Sequence, residues 1–171
     1  MKLIDNLHRL IKVQIILFDF DGVFTDNCVY VTTRGEESVR CWRGDGIGLH
    51  KIKSLNIPTY VISTEKDGVV SKRAEKLGIT CYQDVRDKLV LVKSILESNG
   101  ISHDQAIFVG NDENDLNALE YVGFPILPRD ANPSLLNNPA FIRCERDGGR
   151  GVVREICEAV YWSKMVKHGE L

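Results

Sequence analysis

Val13 to Asp26 reads VQIILFDFDGVFTD, a run of β-favouring apolar residues that stops at two carboxylates, Asp19 and Asp21, followed by Gly22. In an open α/β sheet the ligand crevice lies beyond the carboxyl ends of the strands, so acids placed where such a run ends face a site rather than a core. Asp19 and Asp21 are two residues apart in extended backbone, so both can point toward one pocket while Phe20 packs away from it. A calcium-binding loop would need several more oxygen ligands downstream, a Glu at the twelfth position and flanking helices, whereas this run starts in a strand-like segment and continues VFTD, a poor fit.

Outward from this stretch, the chain alternates. Strand-like runs IILF, PTYVI, ITCY and AIFV end at Asp19, Ser63, Gln83 and Gly110. Between and after them, Gly46 to Leu55, Val69 to Leu77, Asp87 to Glu97 and Glu113 to Val122 place apolar residues three or four apart, the helical period. Asn56, Gly78, Gly100 and Gly123 act as helix stops. Alternating β and α predicts a Rossmann-like, three-layer α/β fold with a central parallel sheet and helices on both faces. One segment breaks the rhythm: residues 27–42 (NCVYVTTRGEESVRCW) read as an inserted β-hairpin flap overhanging the acidic pair. Its exposed edges need a cover, and with no cap domain a neighbouring subunit is the expected one. Residues 150–171 read as a C-terminal helix and tail.

At 171 residues the chain suits a single domain, 1–171, burying about 70% of its unfolded surface. A net charge of -2 with 27% charged residues offers no basic stripe for nucleic acid. Cys28, Cys41, Cys81, Cys144 and Cys157 form no CxxC pair, which argues against a disulfide framework or zinc knuckle and for a reducing, cytoplasmic home. No signal-type or membrane-spanning apolar segment is evident, so no membrane partner is expected.

Each expected strand end carries a different polar group: Asp19 and Asp21, then Ser63 and Thr64, then Lys88, then Asn111, Asp112 and Asp115. Singly each has an ordinary reading. Ser63 suits an N-cap, Lys88 a solvated helix start, and Asp112 and Asp115 complement a helix dipole. Together, in this order, they resemble the haloacid dehalogenase superfamily, with its DxD, Ser/Thr, Lys and carboxylate-cluster motifs. The hairpin, the RGDGIG stretch (Arg43 to Gly48) and GGRGVVRE (Gly148 to Glu155) resemble the capless branch. That branch holds 3-deoxy-octulosonate 8-phosphate and nonulosonate 9-phosphate phosphatases and the phosphatase-like domain of acylneuraminate cytidylyltransferases. Ser63-Thr64-Glu65-Lys66 and GNDEND look more like the nonulosonate and cytidylyltransferase-associated members.

The resemblance implies a Mg²⁺-dependent phosphomonoester hydrolase acting on a small phosphorylated sugar acid, working as a homotetramer. Asp19 would be the nucleophile, forming an aspartyl phosphate. Asp21 would be the general acid and base, and Ser63, Thr64 and Lys88 would hold the phosphoryl group. The metal would be held by Asp19, Asp21 through its carbonyl, and Asn111, with Asp112 and Asp115 in support. Asn111 departs from the family pattern, where an Asp is usual, and this raises the alternative of a weakly active or non-catalytic assembly domain associated with sialic acid activation. A phospho-acceptor receiver domain is disfavoured because its acid pair and acceptor Asp lie after different strands. Glu65, Arg73, Lys76 and Arg150 are candidates for reading the substrate's polyol and carboxylate, with a surface salt-bridge cluster as the ordinary reading of the first three.

Overall fold

A short first helix, α1 (Leu7–Leu10), leads into β1 (Ile15–Phe18), whose four side chains are all buried. Ile16 and Phe18 join one apolar cluster and Ile15 and Leu17 the other, so this single strand is packed on both faces. Each such side chain contributes about 1.5–3 kcal/mol by leaving water, which explains why the run is apolar throughout rather than alternating. The computed structural model describes residues 1–66 and 68–168; the expected tail, 169–171, lies outside the described residues.

The hairpin follows as β2 (Thr25–Val31) and β3 (Glu37–Cys41), antiparallel, with Gly35 at φ 79° in its turn. It then gives way to α2 (Asp45–Ser54), β4 (Thr59–Ile62), α3 (Gly68–Leu77), β5 (Thr80–Tyr82) and α4 (Lys88–Asn99). The second half runs β6 (Ala106–Val109), α5 (Leu116–Tyr121), β7 (Phe124–Leu127), α6 (Pro133–Leu136), β8 (Ile142–Arg143) and α7 (Val152–His168). Six strands form one parallel sheet in the order β5-β4-β1-β6-β7-β8. Residues of α1, α2, α3 and α7 pack on one face, while α4, α5 and α6 cover the other.

The α/β sheet with an inserted hairpin is as expected. The sheet is two strands wider, because FPIL at β7 contains a proline and β8 spans two residues, so neither stands out as a strand run. The hairpin also begins earlier, at Thr25. From β1 the chain moves outward to β4 and β5, then returns to place β6 on β1's other side. The strand order therefore reverses between β1 and β6, and a crevice opens there at the carboxyl ends. Among the described residues no helix is long and apolar enough to cross a membrane.

Candidate active site

Asp19 leaves β1 at that switch point, and its backbone N–H donates to the Val109 carbonyl of β6 at 2.8 Å. Its side chain is buried, and Oδ1 accepts from the Phe20 N–H at 2.7 Å. Lys88 is the first residue of α4, a helix capped by the Asp87 side chain, which accepts from Val90 N–H at 3.1 Å, and closed by Gly100 at φ 64°. The cap sets the helix start so that the Lys88 amine points inward. It lies 2.7 Å from Asp19 Oδ1 and 2.6 Å from Asp115 Oδ1. Asp115, fully buried, also accepts from the backbone N–H groups of Asn111 and Asp112 at 2.8 and 3.3 Å. Gly110 makes this possible, since a Cβ there would press on the Asp115 carboxyl.

Burial, and then the neighbouring Asp115 charge, push Asp19 up to about 8, against the pull of Lys88. Burial alone would lower the Lys88 amine, but the two carboxylates outweigh it and hold it above its ordinary value. Asp21, partly exposed, is raised mainly by burial, with a hydrogen bond from Thr25 Oγ1 at 3.1 Å opposing that rise.

A cavity of about 240 Å³ covers this cluster, lined by Asp19, Asp21, Ser63, Thr64, Asn111 and Asp112 among others. Ser63 is buried and its Oγ accepts from the Glu65 N–H at 3.1 Å, an ST-turn that opens the loop after β4. Asp112 caps the next turn by accepting from Glu113 N–H at 2.8 Å and is held by Asn132 Nδ2 at 2.8 Å.

One terminal atom of the Asn111 amide lies 2.8 Å from the Asp21 carbonyl oxygen and 3.3 Å from Asp19 Oδ2. With nitrogen there the amide donates to both; with oxygen there, three oxygens converge, an arrangement that a bound cation would favour. Gly22, at φ 76°, permits this approach, because a Cβ would overlap the Asn111 amide. One carboxylate, one amide oxygen and one carbonyl form a hard-oxygen donor set that fits Mg²⁺. Among the described residues no group of three His, Cys, Asp or Glu side chains forms a metal cluster.

The structure thus gathers Asp19, Asp21, Ser63, Thr64, Lys88, Asn111, Asp112 and Asp115. Of the four residues singled out for substrate, it brings only Glu65 to the cavity. The Arg73 guanidinium instead donates to the Trp42 carbonyl at 3.0 Å. Lys76 lines another cavity, of about 560 Å³, with His50, Lys53 and Tyr60. That cavity lies where β4 and β5 begin, at the sheet end away from Asp19. Arg150 is exposed on the turn before α7 and lines none of these cavities. The cause is geometric: α3 points its N-terminus at the site, and residues a turn or two along the helix have already left it.

Thr25, Asn27 and Asn114 were missed by the sequence reading. Thr25 is fully buried against Asp21, Asn27 sits at φ 60° on the cavity wall, and Asn114 lines the cavity. Thr25, four residues after Asp21 inside the opening stretch, was within reach of the sequence; Asn27 needed the fold.

A family model described as haloacid dehalogenase-like hydrolase matches residues 55–156. The 3-deoxy-D-manno-octulosonate 8-phosphate phosphatase of Yersinia pestis is 31% identical over 157 residues, 91% of this chain and 83% of that protein. The protein of the same name from Escherichia coli K12 is 31% identical over 90% of this chain and 82% of its own. The crystal structure of the Yersinia pestis enzyme superposes with a TM-score of 0.89 at 30% identity, covering 96% of this chain and 89% of that one. Match and relatives agree with the strand-end chemistry, and on them the chain belongs to the haloacid dehalogenase-like hydrolases, as a phosphatase of that family.

Proposed function

We propose that the chain is a Mg²⁺-dependent phosphatase of a small phosphorylated sugar acid, of the octulosonate 8-phosphate or nonulosonate 9-phosphate kind, and that it acts through an aspartyl phosphate. The observation carrying this reading is Lys88 clamped at 2.7 and 2.6 Å between Asp19 and Asp115 beneath the cavity that Ser63 and Thr64 line. The names of the relatives support the substrate class.

Asp19 attacks the phosphorus in line, and the bond to the ester oxygen breaks. Asp21, held by Thr25, gives its proton to the departing alkoxide. It then takes one from the water that opens the aspartyl phosphate, which frees phosphate and restores Asp19. Ser63 and Thr64 hydrogen-bond the phosphoryl oxygens, and Lys88 supplies fixed positive charge where negative charge moves. Asp115 holds the Lys88 amine in place. Asp19, the Asp21 carbonyl and Asn111 would hold Mg²⁺, which supplies charge that neutralises the ester dianion and favours ionised Asp19. A non-catalytic role is disfavoured by the complete, mutually bonded set of Asp19, Lys88 and Asp115.

Exposed Val29, Tyr30 and Val31 on β2 leave the flap with an apolar surface that suits self-association, for which we propose a homotetramer. Phosphate release from a panel of sugar acid phosphates, with and without Mg²⁺, tests the main reading. Substrate-selective turnover that needs Mg²⁺ and falls at least about a thousandfold in Asp19→Asn is expected; turnover that survives Asp19→Asn overturns it.

A further inference from the structure

The cavity over Asp19 is continuous in lining with a second one of about 310 Å³ beneath the flap, since Asp21, Asn27 and Glu65 line both. In the proposed mechanism Asp21 protonates the ester oxygen of a phosphoryl group attacked by Asp19, so the carbon chain behind that oxygen would lead toward the second cavity, whose lining Asp21 shares. Val29 and Val39 of the hairpin and Val69 of α3 give this space apolar walls. Its charged groups are all acidic: Asp21, Glu37 and Glu65. None of the residues lining it is a cation, and of the cations near these acids in sequence Arg40 pairs with Asp26 and Lys66 with Asp84, while Arg73 donates to the Trp42 carbonyl.

Resting on the proposed phosphatase reading, we propose that Glu37, on flap strand β3, is a specificity-determining residue. With Glu65 it accepts hydrogen bonds from hydroxyls at the phosphorylated end of the substrate, while the substrate's carboxylate lies outside this cavity. Ionised carboxylates only accept, so their match is an O–H or N–H donor, and such charge-assisted bonds are the strong ones. Glu37 makes no ion pair among the described residues. A substrate carboxylate here would face acids with no cation and leave water without compensation. The chemistry of an octulosonate 8-phosphate agrees: its carboxyl is carbon 1 and its phosphate sits on carbon 8, so hydroxyl-bearing carbons come first behind the ester oxygen. Selection by the flap is then selection for a polyol end, and a phosphate ester with its carboxylate close to the ester oxygen is rejected.

The test compares kcat/KM for 3-deoxy-octulosonate 8-phosphate with that for ethyl phosphate, which has no hydroxyl, in wild type and in Glu37→Gln. The ratio of the two is expected to fall about ten- to a hundredfold in the variant. In Glu37→Lys, 3-phosphoglycerate should gain on ethyl phosphate. An unchanged ratio in Glu37→Gln overturns the role of Glu37, whether or not overall turnover drops. Absence of turnover in wild type with every sugar acid phosphate of the panel overturns the phosphatase reading instead; the same two esters titrated by calorimetry into Asp19→Asn, with and without Glu37→Gln, then decide Glu37 from the ratio of dissociation constants.

Discussion

Asp115 and Asp45 are both sealed completely from solvent, yet they are treated in opposite ways. Asp115 meets the Lys88 amine and two backbone N–H groups, so both its oxygens are served. Asp45, in the first turn of α2, accepts one bond at Oδ1, from the Arg154 N–H at 3.2 Å, and its Oδ2 has no partner among the described residues. Burial pushes Asp45 up to about 6 although Arg73, Arg146 and Arg154 lie close enough to pull it down. Arg73 Nε, also buried, likewise has no partner among the described residues. The pair shows that a buried carboxylate stabilises the fold only when the groups around it complete its hydrogen bonds; proximity of cations alone does not do so.

The sharpest way to break this comparison is to make the same substitution at both positions. Asp115→Asn removes the charge that balances Lys88 and turns an amide N–H toward a donor. It is expected to cost about 3–5 kcal/mol in urea denaturation and to abolish most phosphatase activity. Stability equal to wild type would mean that Lys88 is not held by Asp115.

Asp45→Asn is expected to act with the opposite sign. A carboxyl ionising at 3.8 when unfolded and at about 6 when folded is stabilising while protonated, and that contribution is lost as pH rises between the two values. Above pH 7 the variant should therefore be more stable by up to about 3 kcal/mol, with the gain shrinking as pH falls from 6 toward 4. Thermal melts across that range check it; a variant less stable at pH 8 would show that the arginines compensate Asp45 after all.

The smallest expected effect tests another buried polar residue, Asn111. Asn111→Asp adds charge to the oxygen cradle and should tighten Mg²⁺ binding about ten- to a hundredfold, read as the Mg²⁺ concentration that half-protects the protein against unfolding. No change would remove residue 111 from the metal site.

The stretches RGDGIG and GGRGVVRE stand out in the sequence as family marks, with a task expected only of Arg150. The structure packs them together. Gly44 and Gly151 leave room for the Trp42 ring, Gly48 lets α2 approach the Arg154 backbone, and Gly148 lies so close to Gly22 that a Cβ would overlap its carbonyl. The loop before α7 thus braces the turn that carries Asp21, with Gly149 N–H donating to the Val23 carbonyl at 3.0 Å. No periodicity or spacing encodes that contact, because it joins residues more than a hundred positions apart.

By itself the sequence determined the parallel α/β order, the hairpin insertion and the strand-end acids, serine and lysine. These follow from local period and from the rule that parallel strands deliver polar groups at their carboxyl ends. Only the tertiary structure decided which of these groups meet. Whether the Lys88 amine met Asp19 and Asp115 depended on how α4 packs against the sheet, and whether Arg73 and Lys76 reached the site depended on where α3 runs relative to β4. Direction in space accumulates over many residues of packing, whereas periodicity is written within each element.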